Sequence, residues 1–242
     1  LKYSIIIPTL NEEKLLPQLL KQLTDEIPLP SREYEIIISD GGSKDATEKI
    51  AESFNCSFIK HHYTIKENIS CGRNRGAEKA KGKWLIFLNA DIRIANVKAF
   101  FVFLEEHVYS SKLVAVGGQV KIFPEEEILS DRLFHAFYYH YFKALNFIGM
   151  GNGRGECQII LKDTFDKLGG YNQKLAAGED FDLFKRAKKI GKILLTDKIL
   201  VFESPRRFRR FGYFNVTLMW LKNSTSIVLM KKSISREWEE VR

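Results

Sequence analysis

Within the first ninety residues, short runs of branched and aromatic apolar residues alternate with amphipathic stretches, and this alternation restricts the fold more than any other feature. The first run, Tyr3 to Ile7, passes through PTLNEE into a stretch whose Leu15, Leu16, Leu19, Leu20 and Leu23 share one helical face. The unit recurs. Tyr34 to Ser39 leads into the turn DGGS and a predicted helix from Asp45 to about Phe54, with Ser43 as its cap. Ser57 to Lys60 reads as a third strand before a helix over about Ser70 to Lys81. Lys83 to Asn89 reads as a fourth strand, apolar enough to be buried on both faces as central parallel strands are. Strands and helices alternating at this spacing predict an α/β fold: a doubly wound, mostly parallel sheet with ligands at the carboxyl ends of its strands.

Three of those ends carry polar clusters: PTLNEE, SDGGSKD and NADIR. Beyond Lys112 the pattern loosens into an extended Leu113 to Phe123, an aromatic helix over about Leu129 to Phe147, the turn MGNGRG and a strand at Cys157 to Leu161. A loop holding GGYN then leads to GEDFDLFKRAKK, which has helical spacing, and Ile193 to Glu203 reads as one or two strands.

The chemistry available at these clusters follows from residue type and position. Asp40 stands at a strand end before two glycines, where a carboxylate either accepts from a base or ribose or caps its own turn. Asn89 and Asp91 alternate on an extended end and so face one way. Two such oxygens suit a hard cation, Mg²⁺ or Mn²⁺, completed by diphosphate oxygens; a metal-free turn uses the same residues. Glu179 and Asp180 follow a glycine at a helix start, where unpaired amides favour anions, and acidic residues are also common there without any site.

The chain has 242 residues, 45% of them hydrophobic, enough for one sizeable core. Its net charge of +8 is local: residues 205–232 carry seven basic side chains, among them Arg206, Arg207, Arg209, Arg210 and Lys231, and no acidic one. Arginines there interleave with Phe208, Phe211, Phe214 and Trp220, and Phe211, Phe214, Leu218 and Leu221 keep helical spacing. Such a helix either lies on an anionic membrane surface or packs its stripe on the domain. Arg206, Arg207 and Arg210 either meet that surface or reach donor or acceptor phosphates. No recognition motif accompanies the charge, so nucleic acid is not an expected partner. Three cysteines without paired spacing exclude a disulfide framework and a structural zinc site, and with no leader-like start they point to a cytoplasmic chain, peripheral on the cytosolic membrane face. Phe134 to Phe142 adds aromatic surface for an acceptor groove, the same membrane face or the core; His135 and His140, five apart, do not pair on one helical face.

Taken in order, IIIPTLNEEKLLPQLL, EIIISDGGSKDAT, RNRGAEKAKGKWLIFLNAD, GGYN and GEDFDLFKRA resemble the family 2 glycosyltransferases of the nucleotide-diphospho-sugar transferase (GT-A) fold, over roughly residues 3–203. The resemblance implies a Rossmann-like GT-A catalytic domain over 1–204, with a nucleotide-binding half at 1–111, an acceptor-binding half at 112–204 and a basic amphipathic segment at 205–242. It implies an inverting transfer from a UDP- or GDP-sugar to a lipid-phosphate, lipid-linked or glycan acceptor. Pro8, Thr9, Leu10 and Glu12 would line the nucleoside pocket, Asp40 would contact the base, Arg73 would approach the donor and Ala90 would pack beside it. Asn89 and Asp91 would hold the metal, although the family's motif has Asp first. Asp180 would be the general base and Glu179 its neighbour. A sugar nucleotidyltransferase shares the fold but would carry a glycine-rich basic loop after the first strand, which PTLNEEK is not. A glycan-binding module with a weakened metal site is favoured only by Asn89, against retained Asp91 and Asp180.

Overall fold

The computed structural model describes residues 1–61, 67–108, 112–230 and 232–233, so Lys231 of the basic stretch lies outside the described residues. The four predicted strands form as β1 (Tyr3–Thr9), β2 (Tyr34–Asp40), β3 (Ser57–Ile59) and β4 (Trp84–Leu88). Helices α1 (Leu16–Glu26), α2 (Thr47–Ser53) and α3 (Ile69–Lys79) connect them. They lie side by side as β3-β2-β1-β4, all parallel, with every residue of β4 buried. Because β2 and β4 flank β1 on opposite sides, the strand order reverses there, and a sheet of this kind binds ligands beyond the carboxyl ends at that switch point. Ser43 does not cap α2. That helix starts behind Ala46, and the Ser43 hydroxyl instead donates to Asp40.

The second half comprises β5 (Ile92–Ile94), α4 (Val97–His107), β6 (Leu113–Ile122), α5 (Leu129–Phe147), β7 (Cys157–Leu161) and α6 (Lys162–Lys167). After these come α7 (Glu179–Lys188), β8 (Lys192–Glu203), α8 (Arg206–Phe211) and α9 (Tyr213–Met230). Strand β7 inserts antiparallel between β4 and β6, β8 runs parallel to β6, and β5 closes the edge antiparallel to β8. Four of the seven neighbour pairs of the sheet are parallel, so the predicted mostly parallel order holds for the first half and gives way to a mixed one in the second. The late apolar stretch is one strand whose pairing jumps from Thr196 to Leu200 opposite Gly118 and Gln119.

Helices cover both faces, as the period of two along β1 requires. Ile5 and Ile7 point into a core with Leu16 and Leu20 of α1, Ala51 of α2, and Phe100 and Phe101 of α4. Ile6 points the other way, to Ala77 of α3, Phe165 of α6, and Leu183 and Phe184 of α7.

The C-terminal helices pack on α5. Val216 and Phe208 form a small core with Ile122, joined by Phe134, Tyr213 and Trp220, while Ile227 packs with Leu175 and Phe181. The inward face of α9 is therefore Tyr213, Val216, Trp220 and Ile227, and of the predicted stripe Phe211, at the end of α8, joins this core. Phe214 and Leu221 of that stripe are 77% and 59% exposed. A helix apolar on two faces allows either assignment from sequence, and packing selects the one with the indole. Among the described residues no helix is long and apolar enough to cross a membrane.

Candidate active site

The carboxyl ends of β1 and β2 form one hydrogen-bonded turn. Asp40 is buried, and its Oδ2 accepts from the amides of Gly42 (2.8 Å) and Ser43 (2.9 Å). Its Oδ1 accepts from the hydroxyls of Thr9 (3.1 Å) and Ser43. Four donors fill the acceptor positions of a carboxylate, so Asp40 caps its own turn. Asn11 has φ of 53°, and its side chain and amide tie the two loops together through Lys44 and Ser43. Pro8 and Leu10 are half-buried beside this turn, and the Glu12 amide donates to the Thr47 hydroxyl oxygen (2.9 Å). Ala90 is buried just past β4.

Arg73 holds the two halves together. It is 1% exposed, and its guanidinium donates to Glu179 Oε1 (2.8 Å), Asn89 Oδ1 (2.9 Å) and the Gly155 carbonyl (2.8 Å), with the Tyr171 ring beneath it at 5.1 Å. One planar cation thereby connects the end of β4, the glycine-rich turn and the start of α7. The carboxamide oxygen of Asn89 thus accepts from Arg73. Asp91 pairs with Arg206 of α8 at 2.8 Å, and the same guanidinium reaches Glu12 at 3.6 Å.

Helix α7 begins at Gly178 in the left-handed region (φ 80°), where a Cβ would lie 2.6 Å from Ile227. This turn delivers Glu179 inward to Arg73 and places Asp180 on a cavity wall. Burial, then the charges of Glu179 and Glu156, push the Asp180 carboxyl up to about 7. Gly155 leaves room for this approach: a Cβ there would stand 3.1 Å from Arg73 and 3.2 Å from Asp180. Asn74 clamps the GGYN loop, accepting from the Tyr171 amide and donating to its carbonyl, both at 2.9 Å. The Tyr171 hydroxyl reaches Gln158, which donates to the Asp180 carbonyl at 3.3 Å.

A second buried charge cluster was absent from the sequence expectations. Arg154 donates to both oxygens of Glu156 (3.1 and 2.8 Å), to Glu203 (2.6 Å) and to His135 Nδ1 (3.1 Å). Burial, helped by Arg154, lowers His135 to about 3, so the imidazole is neutral and can accept. Burial raises Glu203, while the Glu156 carboxyl, desolvated but bidentate to Arg154, stays lowered. The RGE triplet in the glycine-rich turn was the signal that buried charge was needed there. Its partners, His135 and Glu203, come from distant segments.

The C-terminal arginines divide. Arg206 binds Asp91, Arg207 is half-buried at the cavity wall within the field of Asp91, Glu203 and Glu156, Arg209 chelates the buried Asp131 of α5, and Arg210 is exposed with its guanidinium over Phe211. Among the described residues no three His, Cys, Asp or Glu side chains cluster as a metal site.

The model of the family described as glycosyl transferase family 2 matches residues 4–169. The uncharacterised glycosyltransferase YfnE of Bacillus subtilis is 32% identical over 198 residues, covering 78% of this chain and 46% of that protein. The chain thus spans about half the length of that relative. Among solved structures, the mannosyltransferase PcManGT of Pyrobaculum calidifontis, in complex with GDP-Man and Mn²⁺, aligns with a TM-score of 0.67 at 15% identity, covering 84% of this chain and 56% of that one. TarS 1–349 of S. aureus, in complex with UDP-GlcNAc, aligns with a TM-score of 0.63 at 19% identity, covering 84% and 58%. These two likenesses establish the fold.

Proposed function

Starting from the fact that this chain belongs to glycosyl transferase family 2, we propose that it moves a hexose from a UDP- or GDP-sugar to a lipid-linked or glycan acceptor, with inversion. The observation that carries this reading is the reach of Arg73 from Asn89 to Glu179, which sets the donor-side strand end and Asp180 on one wall. The donor half, 1–111, supplies the nucleoside pocket through Pro8, Thr9, Leu10 and Glu12, with Asp40 acting as a positioning residue that shapes their turn. The half at 112–204 supplies the base, and the segment at 205–242 contributes Arg206 and Arg207 toward phosphates.

Asp91 already holds a cation, the Arg206 guanidinium, so its surroundings accept positive charge. With Asn89 engaged by Arg73, Asp91 would be the single protein ligand of a Mn²⁺ or Mg²⁺ ion whose other ligands come from the diphosphate. Such an ion supplies charge neutralisation for the departing nucleoside diphosphate.

The acceptor oxygen attacks the anomeric carbon from the face opposite the diphosphate. The new C–O bond forms as the bond to the diphosphate oxygen breaks, and a hydroxyl acceptor gives its proton to Asp180. A carboxyl near 7 suits that task, because it is partly ionised at neutral pH and retains basicity. A phosphate acceptor, already anionic, needs Asp180 only for orientation.

Calorimetry with UDP and GDP, with and without Mn²⁺, tests the reading. Metal-dependent binding that Asp91→Ala abolishes is expected. Equal binding without metal would reject the ion, and no binding of either nucleotide would reject the donor.

A further inference from the structure

Beside Asp180 lies a cavity of about 650 Å³, within the roughly 300–1,000 Å³ of small-molecule sites. One end is polar and belongs to the site described above, with Arg73, Asn89, Glu179 and Asp180 on its wall. From there the space runs between two helices, with Phe137, Tyr138 and Tyr141 of α5 on one side and Trp220 and Leu221 of α9 on the other. None of the nucleoside-loop residues Pro8 to Glu12 or Asp40 to Ser43 borders it, so it lies on the acceptor side.

Its chemistry limits what can fill it. Polar groups on the floor, Arg154, Glu156 and Glu203, already bind one another, and a sugar chain placed over them would leave hydroxyls to face aromatic carbon. The rim is also apolar. Phe137 is 62% exposed, Leu221 is likewise exposed, and Leu133 and Phe214 continue the apolar surface outward. A hydrocarbon chain can therefore leave the cavity for a lipid phase along the Phe137 and Leu221 side, away from the polar Ser224 and Thr225 that also line it.

We propose that this groove is the acceptor subsite and that the acceptor is an amphipathic lipid. Its nucleophilic head lies at Asp180, and its hydrocarbon chain lies between α5 and α9 and emerges past Phe137 and Leu221. This rests on the transferase reading, and it selects the lipid-borne acceptor over a free glycan. Arg207 at the cavity wall suits a phosphate head, while Asp180 suits a hydroxyl head.

The test uses the intact chain and two series of probes below their micelle concentrations: butyl, octyl and dodecyl phosphate, and the matching alkyl glucosides. Binding is followed by calorimetry. Affinity is expected to rise by up to about fourfold per added methylene until the groove is full. The tighter series identifies the head as a lipid phosphate or a lipid-borne sugar. The double variant Phe137→Gln, Leu221→Gln alters exposed side chains only. It should lose at least about tenfold in dodecyl affinity while its UDP or GDP thermal shift and its unliganded melting midpoint match the parent. Equal affinity for butyl and dodecyl probes, or an undiminished chain preference in the variant, overturns the proposal. If the parent binds the chains but neither nucleotide, the transferase reading fails and the groove stands; if it binds a nucleotide without chain preference, the groove alone fails.

Discussion

Two aspartates stand at the ends of secondary-structure elements, Asp40 closing β2 and Asp180 in the first turn of α7, and their surroundings differ in kind. At the end of β2, Asp40 accepts from two backbone amides and two hydroxyls of its own turn, all within a few ångströms of chain or one strand away. At the start of α7, Asp180 receives one amide, that of Phe181, and meets burial and two neighbouring carboxylates that outweigh the charge of Arg73. A carboxylate whose acceptor positions are filled by the donors of its own turn is fixed in place, which suits it to shaping a loop. A carboxylate short of donors stays basic and has room for a proton, which suits it to chemistry.

Asp180→Asn makes the hardest test of that contrast. With a hydroxyl acceptor, kcat should fall by about 10²- to 10⁴-fold while calorimetric nucleotide affinity stays unchanged. Undiminished turnover would remove Asp180 from the reaction. Next in size is the response to pH. Below about 7 the rate should drop roughly tenfold per unit as Asp180 takes up its proton, and the Asn variant should lose this limb. Stability should show the opposite sign: the folded chain holds the Asp180 proton from about pH 4 to about pH 7 where the unfolded chain has lost it, so stability falls as pH rises through that window. Denaturant titrations across it should give a shallower slope for Asp180→Asn.

Asp40→Ala acts on the other side of the comparison. It strands two amides and two hydroxyls, each buried group left unpaired costing about 1–3 kcal/mol where water cannot replace the carboxylate. A fall in melting temperature of about 5–10 °C is expected, with an unaltered pH profile for the remaining activity. The smallest effect belongs to Arg206→Gln, which frees Asp91 from a partly exposed ion pair. Half-saturation by Mn²⁺ should fall about two- to fivefold, read by calorimetry in the presence of nucleotide. No change would mean that the guanidinium and the ion do not compete for Asp91.

How legible each region was in the sequence follows from where its partners sit. Strands β1, β2 and β4 are short apolar runs closed by turn residues, and their pairing repeats one local rule, so the donor half could be read almost element by element. Helix α4 escaped because VKAFFVFLEEH follows a three-residue strand and carries apolar residues around most of its circumference, which blurs the helical period. Glu179 and Asp180 were legible as a motif at a helix start. The Arg154 cluster was not, since its acids and histidine come from the turn itself, α5 and the end of β8, 49 residues further on in the case of Glu203. Which face of α9 turns inward was open for a related reason: both faces are apolar, and only the position of α5 decides between them.

Arg73 also bears on how freely chains of this kind can be recombined. A hybrid joined near residue 111 would keep the guanidinium and Asn89 from one parent and take the Gly155 carbonyl and Glu179 from the other. The two parts behave as interchangeable modules only where the incoming part brings a residue without a Cβ and a glutamate to those same two points, and a parent lacking the glutamate would hand the hybrid a buried cation without its carboxylate.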